Sequence, residues 1–265
     1  MGISSSKVDQ LTSEGNHEPT ISDVFAVRLL LSSSPASLPV EIIDVILDHG
    51  AYWPHSTVEV KEIDVVSGGD DVEDKVYLRT LPLAYPKTEG SHVASAGQYP
   101  IHRPPRGSNE EEYPRRGQHP CRRIVFELLS RDQGWSSDRA YHKTYAHSWT
   151  WFDVSVERAS ESDSGGVADQ VEHGLHPKDT HLQRNVHAKR EFTRHVIVWD
   201  WQDTVEEGSL EAMVANEQGR GWRSMDGQLV RSLECGDRLV LWMHARFGGW
   251  RCIAESAKVT VYWAV

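Results

Sequence analysis

The chain has 265 residues, with 28 basic and 39 acidic side chains and a formal net charge of −11. This length accommodates one large β-sandwich, or a small domain beside a medium one. The negative charge repels phosphate backbones and anionic membranes, which argues against nucleic acid as a partner. The longest apolar run, near residues 24–31, is interrupted by Arg28 and is too short to span a bilayer.

The cysteines and tryptophans narrow the setting further. Cys121, Cys235 and Cys252 are odd in number and widely spaced, with no signal peptide before them, which predicts reduced thiols in a cytoplasmic or nuclear protein. The ten tryptophans are an unusually large number. Each indole needs a place in the core or a ligand to stack on, and we expect most of them to lie in the core.

The N-terminal residues carry a lipidation pattern. Met1, Gly2 and Ser6 fit the signal for N-myristoylation, in which Gly2 becomes the acylated residue. One acyl chain supports only weak, reversible membrane association, and no polybasic stretch accompanies Gly2. Residues 1–20 are polar and are predicted to be disordered.

Residues 21–55 are predicted to form a short helical segment. Ser22 and Asp23 are typical of a helix start, and Pro39 is typical of the first turn of a second helix. Residues 38–47 place apolar side chains at helical spacing and resemble the opening of an F-box, a module that docks ubiquitin-ligase adaptors. The likeness covers about ten residues. The alternative is a short amphipathic helix that only packs on the following domain.

Residues 56–265 are predicted to form a β-sandwich domain. Strand-like alternation bounded by Gly, Pro and Asp recurs along this region. The predicted strands are residues 57–66, 76–83, 123–129, 150–156, 192–201, 229–233, 237–247 and 258–265. Polar insertions are expected at about 86–120 and 159–191, a short helix at 210–216, and a tight turn at Asp226 and Gly227. The predicted fold is mainly β, an antiparallel two-sheet jelly-roll sandwich with one or two short N-terminal helices.

The sequence carries none of the common catalytic motifs. It has no Gly-x-Ser-x-Gly elbow, Walker loop, His-Glu-x-x-His or Cys-x-x-Cys, and no cofactor is expected. Four carboxylates at strand ends beside aromatics, Asp132, Asp153, Asp200 and Asp237, are candidates for hydrolysis, but sequence cannot measure the gap between them.

The histidines do not predict a metal site. His173, His176, His181 and His187 lie in a polar stretch without the rigidity that metal ligands need, and we expect a solvated loop. His195 and His244 lie instead in predicted strands. His244 is on the face opposite Leu241 and Met243, where it either faces a ligand groove or caps an edge of the core.

Aromatic residues recur with Gly, Arg or Asp at predicted loop tips. Loops at one end of a sandwich converge, and an exposed indole beside polar groups suits a sugar or another amphipathic ligand. The candidate ligand-binding residues are Asp132, Trp135, Trp222, Arg246, Phe247, Trp250 and Arg251. The alternative is that these tryptophans only cover the core.

The order of motifs in residues 38–53 and 121–265 resembles a group of uncharacterised filamentous-fungal proteins that often carry an F-box-like or ankyrin segment. The layout is similar to the galactose-binding-like or F-box-associated-like jelly roll of some sugar-recognising F-box proteins, although fold does not fix function. The expected function is a cytoplasmic recognition module for a glycan, a small amphipathic ligand or a protein. The alternatives are a cofactor-free cyclase or isomerase with an apolar cavity, and a ubiquitin-ligase substrate adaptor.

Overall fold

The computed structural model describes residues 18–33, 37–70, 72–84, 115–158 and 181–265. Two antiparallel sheets pack face to face and are preceded by two short helices. The predicted two-sheet sandwich with N-terminal helices is therefore confirmed. Gly2 and most of both expected insertions lie outside the described residues.

The two N-terminal helices are α1, Ile21–Ser33, and α2, Val40–His49. Each buries part of one face against the sandwich, through Val24 on α1 and through Ile43 and Leu47 on α2. No helix in the described residues is long and apolar enough to cross a membrane.

The larger sheet has five strands arranged around the last strand of the chain. They are β1 His55–Val60, β2 Asp64–Ser67, β4 Cys121–Arg131, β7 Thr193–Asp200 and β9 Arg251–Trp263. The central strand β9 pairs with β4 on one side and with both β1 and β2 on the other, and β7 extends the sheet beyond β4. The predicted single strand at 57–66 is wrong, because residues 61–63 stand opposite only Glu255 and Ser256 and interrupt the pairing.

The smaller sheet has four strands in the order β3, β8, β5 and β6. Their bounds are β3 Glu73–Arg79, β5 Thr150–Glu157, β6 His181–Arg184 and β8 Arg238–Ala245. Strand β6 lies inside the stretch expected to be a polar insertion. The helix predicted at 210–216 is present as α3, Leu210–Glu217, and the Ser209 hydroxyl caps it by accepting from Ala212 N.

The C-terminal residues 229–265 differ from the sequence prediction, which placed a strand at residues 229–233. Residues 229–233 do not form a strand but lie within and just after helix α4, Gln228–Ser232, because Val230 and Leu233 are both buried and stand at helical spacing. Strands β8 and β9 also do not form a hairpin, since they belong to different sheets. The connection at 246–250 therefore crosses from one sheet to the other.

The core lies between the two sheets. Alternation in the predicted strands 123–129 and 150–156 puts Ile124, Phe126 and Leu128 on one face of β4 and Phe152 and Val154 on one face of β5, and all five side chains are buried. Three of the ten tryptophans, Trp53, Trp199 and Trp263, are fully buried, six are partly buried and Trp135 is exposed. The three cysteines are free thiols.

Candidate functional site

Three connections meet at one end of the sandwich. Thr150 at the start of β5 pairs with Ala245 at the end of β8, and Arg131 at the end of β4 pairs with Ile253 near the start of β9. The chain segments 132–149, 185–192 and 246–250 therefore share this end, which we call the loop end.

Asp132 fastens two of these segments together. Its side chain is fully buried and accepts hydrogen bonds from the backbone N–H groups of Gly134, at 2.7 Å, and Ala188. Burial raises the pKa of the Asp132 carboxyl, while the backbone donors oppose that shift. Asp132, proposed from sequence as a ligand-binding residue, thus has its oxygens turned inward, where they join loops.

The exposed surface of the loop end is aromatic and basic. Trp135 is 62% exposed, and its Cη2 atom lies 3.8 Å from the position that a Cβ atom on Gly249 would occupy. Phe247 is 40% exposed and stands edge-on to Trp149, with ring centroids 4.9 Å apart. The guanidinium of Arg246 lies over the Phe247 ring, 4.8 Å from its centroid. The two loop tips named from sequence therefore stand beside each other.

A second layer of rings supports this surface from below. Trp250 is partly buried and packs edge-on against His187, with ring centroids 5.1 Å apart. His187 is 1% exposed, and its Nδ1 lies 3.1 Å from the carbonyl oxygen of Ala146. The backbone N–H of Arg251 donates to the side-chain oxygen of Gln133 at 3.2 Å, which ties the 246–250 segment to the segment that carries Trp135.

Trp222 belongs to a different region. The two residues before it lie against β6: Arg220 forms an isolated β-bridge with Gln183, and Gly221 packs against the carbonyl of His181. His181 pairs with Asp153, three residues further along β5 than the Thr150 that marks the loop end. Trp222 therefore lies beside β6 and away from the loop end, and the guanidinium of Arg223 lies over its ring.

The outer face of the smaller sheet holds a closed polar cluster around Asp153, which is 4% exposed. Trp151 Nε1 donates to Asp153 Oδ2 at 2.9 Å, and His244 Nε2 lies 3.2 Å from the same oxygen. His181 Nδ1 lies 3.1 Å from Oδ1. His244 is 3% exposed and stacks on Trp151, on the face opposite the core as predicted.

The solvated-loop expectation is wrong for two of the four clustered histidines. His181 lies on β6 beside Asp153, and His187 is buried below Trp250. His173 and His176 lie outside the described residues. Within the described ranges, no group of three or more His, Cys, Asp or Glu side chains is arranged to hold a metal ion.

The remaining candidate carboxylates are held in separate ion pairs. Arg123 Nε donates to Asp200 at 2.9 Å, and Arg158 Nη1 lies 2.5 Å from Asp237. Each acid is thus neutralised by its own arginine.

A further polar group was missed by the sequence reasoning. Tyr145 Oη lies 3.0 Å from Nε2 of His195, and Arg220 is close enough to influence the pKa values of both. One signal was present, because His195 shares an otherwise apolar strand face with Ile197 and Trp199. The residues that meet it from distant loops left no local pattern.

Comparison with known proteins adds no identity to this geometry: no protein family, curated protein or solved structure matched the chain. The fold defines the class as a two-sheet antiparallel β-sandwich with N-terminal helices. Its function has to be argued from its own side chains.

Proposed function

We propose that the protein is a recognition module that binds a glycan at the loop end. The observation that carries this proposal is the exposure of Trp135 beside Gly249, within the same loop cluster as Phe247 and Arg246. An indole exposed to this degree exposes apolar area to water, and a ligand that stacks on it removes that area from water.

The neighbouring groups suit the two kinds of surface that a sugar ring presents. A pyranose has an apolar face of C–H groups and an edge of hydroxyl groups. Trp135 and Phe247 offer aromatic surface to the first, and the N–H groups of Arg246 can donate to the second. The flat, open arrangement predicts weak binding, about 4 to 6 kcal/mol in free energy for a single sugar unit.

The site is held rigid from behind, which reduces the entropy lost on binding. Asp132 fixes the 132–135 turn to Ala188, and Gln133 fixes it to the backbone of Arg251. Trp250 rests on the buried ring of His187. A preorganised surface loses less conformational freedom when its ligand arrives.

The test is a glycan screen followed by titration, with tryptophan fluorescence or NMR as the readout. Trp135→Ala and Phe247→Ala are each expected to weaken binding by about tenfold or more, because each removes stacking surface. Trp222→Ala is the matched control, since it also removes a partly exposed indole but along β6, and it should bind as the wild type does.

The possible outcomes separate the site from the ligand class. Wild-type affinity in the Trp135→Ala protein, with its fold verified by circular dichroism, would overturn the site. Binding of a peptide or another amphipathic molecule that is lost in the same variants would keep the site and overturn the glycan.

A second candidate function rests on the N-terminal helices. Besides the face that docks on the sandwich, α1 and α2 expose Phe25, Leu29, Leu30, Val40, Ile42, Val45 and Ile46. Such an apolar surface is typical of a protein-binding site. Together with the F-box resemblance of residues 38–47, it supports a proposed role as a ubiquitin-ligase substrate adaptor. Co-purification with the ligase adaptor that is lost in Leu30→Asp, and retained in Trp135→Ala, tests it; failure of the wild type to bind rejects it.

A further inference from the structure

The seam between the edge strands β6 and β7 contains a second polar site, formed by Tyr145, His195 and Arg220. The backbone of Arg220 forms an isolated β-bridge with Gln183 of β6. Its side-chain Nη2 donates to the carbonyl of Val196 on β7 at 3.5 Å. The residue therefore reaches both sheets where their edges meet.

His195 is the buried member of this seam. It is 7% exposed, its Nε2 lies 3.0 Å from Tyr145 Oη, and its Nδ1 is buried without a hydrogen-bond partner. Burial, and then the charges of Arg220 and Lys189, lower the pKa of His195 to about 4. The imidazole is therefore neutral at pH 7 and does not change the positive charge supplied by Arg220 and Lys189.

The charges that surround His195 are positive. None of the carboxylates in the described part of the chain forms an ion pair with Arg220 or Lys189. Five other partly buried arginines are each paired with an acid: Arg28, Arg79, Arg116, Arg122 and Arg123. A half-buried guanidinium whose hydrogen bond is one long contact to a carbonyl carries uncompensated charge.

The orientation of the Tyr145 hydroxyl follows from the buried nitrogen of His195. If the phenol donated to Nε2, the neutral ring would carry its proton on Nδ1 and bury a donor without an acceptor. If Nε2 donates to the phenol oxygen, Nδ1 is instead an unpaired acceptor, and buried unpaired acceptors are the more common of the two. The second arrangement leaves the Tyr145 O–H free to donate elsewhere.

The seam thus collects donors, and we propose that it binds an oxyanion, a carboxylate or phosphate group of a small molecule, between the Arg220 guanidinium and the Tyr145 hydroxyl. His195 is a positioning residue that holds the phenol as a donor. Arginine presents five N–H groups in a planar fork that matches the geometry of both anions. Lys189 adds a second positive charge nearby, within a chain whose net charge is −11.

This site is separate from the proposed glycan surface, because it uses none of Trp135, Phe247 or Arg246. A protein that fails to bind sugars can still bind an oxyanion here, and the reverse also holds. The two proposals therefore fail independently.

The experiment uses the whole chain, titrated with sodium phosphate and, separately, sodium acetate, at ionic strength held constant with chloride. Binding is followed by calorimetry and by NMR of the histidine side chains. We expect saturation by at least one anion, and a rise in the pKa of His195 when the anion is bound, because a nearby negative charge favours the imidazolium. The anion that binds more tightly distinguishes phosphate from carboxylate chemistry.

Two variants and one control decide the result. Arg220→Gln should weaken binding at least about tenfold, and Tyr145→Phe, which keeps the ring, about fivefold or more. Arg194→Gln is the control, because Arg194 is an exposed arginine that lies on the same strand as His195 and is paired with Glu127 of β4. This variant should bind the anion as the wild type does.

Absence of saturation by either anion up to about 50 mM would overturn the proposal. Unchanged affinity in a folded Tyr145→Phe or Arg220→Gln protein would overturn it as well. The side-chain nitrogen signals of His195 give an independent check, because Tyr145 is a free donor only if the proton is on Nε2 of His195; a ring protonated on Nδ1 in the free protein would contradict the role assigned to Tyr145.

Discussion

Two buried histidines of this protein stand in opposite electrostatic surroundings. His244, on the outer face of the smaller sheet, lies 3.2 Å from the carboxylate of Asp153, which also accepts from Trp151 and lies beside His181. His195, at the seam of the two sheets, lies beside the Tyr145 phenol and two cations. One cluster is centred on an acid and the other is left positive.

The difference separates structural polar groups from groups available to a ligand. Around Asp153 the polar groups come from the neighbouring strands β5, β6 and β8, and Trp151 and His181 each bond to the carboxylate. At the seam no carboxylate of the described residues pairs with Arg220 or Lys189, although the chain has 39 acidic residues. Buried charge that is left uncompensated costs stability, and such sites tend to be functional.

The largest expected effect comes from breaking the acid-centred cluster. Asp153→Ala should lower the free energy of unfolding by about 4 kcal/mol, because it removes the acceptor of the Trp151 N–H and the carboxylate that lies 3.2 Å from the buried ring of His244. Ser155→Ala, two residues along the same strand face, removes one acceptor from Trp242 and should cost about 1 kcal/mol. Urea unfolding at pH 7 measures both free energies. Similar losses in the two variants would contradict the prediction that several polar groups depend on Asp153.

The next effect concerns acid and tests the seam. The pKa of His195 is about 4 in the folded protein, against 6.5 for an unburied histidine, so the unfolded chain binds the extra proton first. Stability should therefore fall by about 3 kcal/mol as the pH drops from about 6.5 to 4.

His195→Gln isolates this contribution, because glutamine does not titrate. The difference in unfolding free energy between pH 7 and pH 4.5 should be much smaller in the variant than in the wild type. Asp48 and Glu127, whose pKa values are lowered by their arginine and lysine partners against the effect of burial, lose their contribution only at still lower pH. Equal slopes in the two proteins between pH 6.5 and 4.5 would mean that His195 is not buried as a neutral ring.

The sequence predicted the faces of the strands better than their partners. Alternation in β5 placed Phe152 and Val154 inward and Trp151 and Asp153 outward, as observed. It could not reveal that β8 and β9 lie in different sheets, because pairing between distant strands leaves no local pattern. The early part of β9, Arg251 to Ala257, has few β-branched residues and is a strand because β4 and β2 pair with it.

Short segments were the other source of error. The five residues from Leu229 fit a strand by alternation of side-chain type, yet the burial of Val230 and Leu233 follows the helical period. Five residues are too few for either period to exclude the other, and tertiary packing decides between them.

The candidate sites divide in the same way. Trp135, Phe247 and Trp250 were found from sequence because each lies at a loop tip beside glycine, and such tips converge in a sandwich. Trp222 also lies beside a glycine in the sequence, but its segment runs next to β6 and not at the loop end. Tyr145 and Arg220 gave no signal, since each becomes part of a site only by approaching His195 from another region.

The smallest expected effect sharpens the contrast with Asp153 because it is close to zero. Arg220→Gln should change the free energy of unfolding by less than about 1 kcal/mol, because no carboxylate in the described ranges depends on this arginine. Any change should be an increase in stability, because the substitution removes a partly buried charge that has no acid partner. Arg123→Gln is the matched control; it leaves the buried carboxylate of Asp200 without its partner and should cost about 2 kcal/mol. Thermal and urea unfolding measure both, and a loss in Arg220→Gln equal to that in Arg123→Gln would place Arg220 among the structural ion pairs. Phosphate or acetate, whichever binds, should then stabilise the wild type and the Arg123→Gln protein more strongly than Arg220→Gln, because the stabilisation grows with the affinity of the folded state for the ligand.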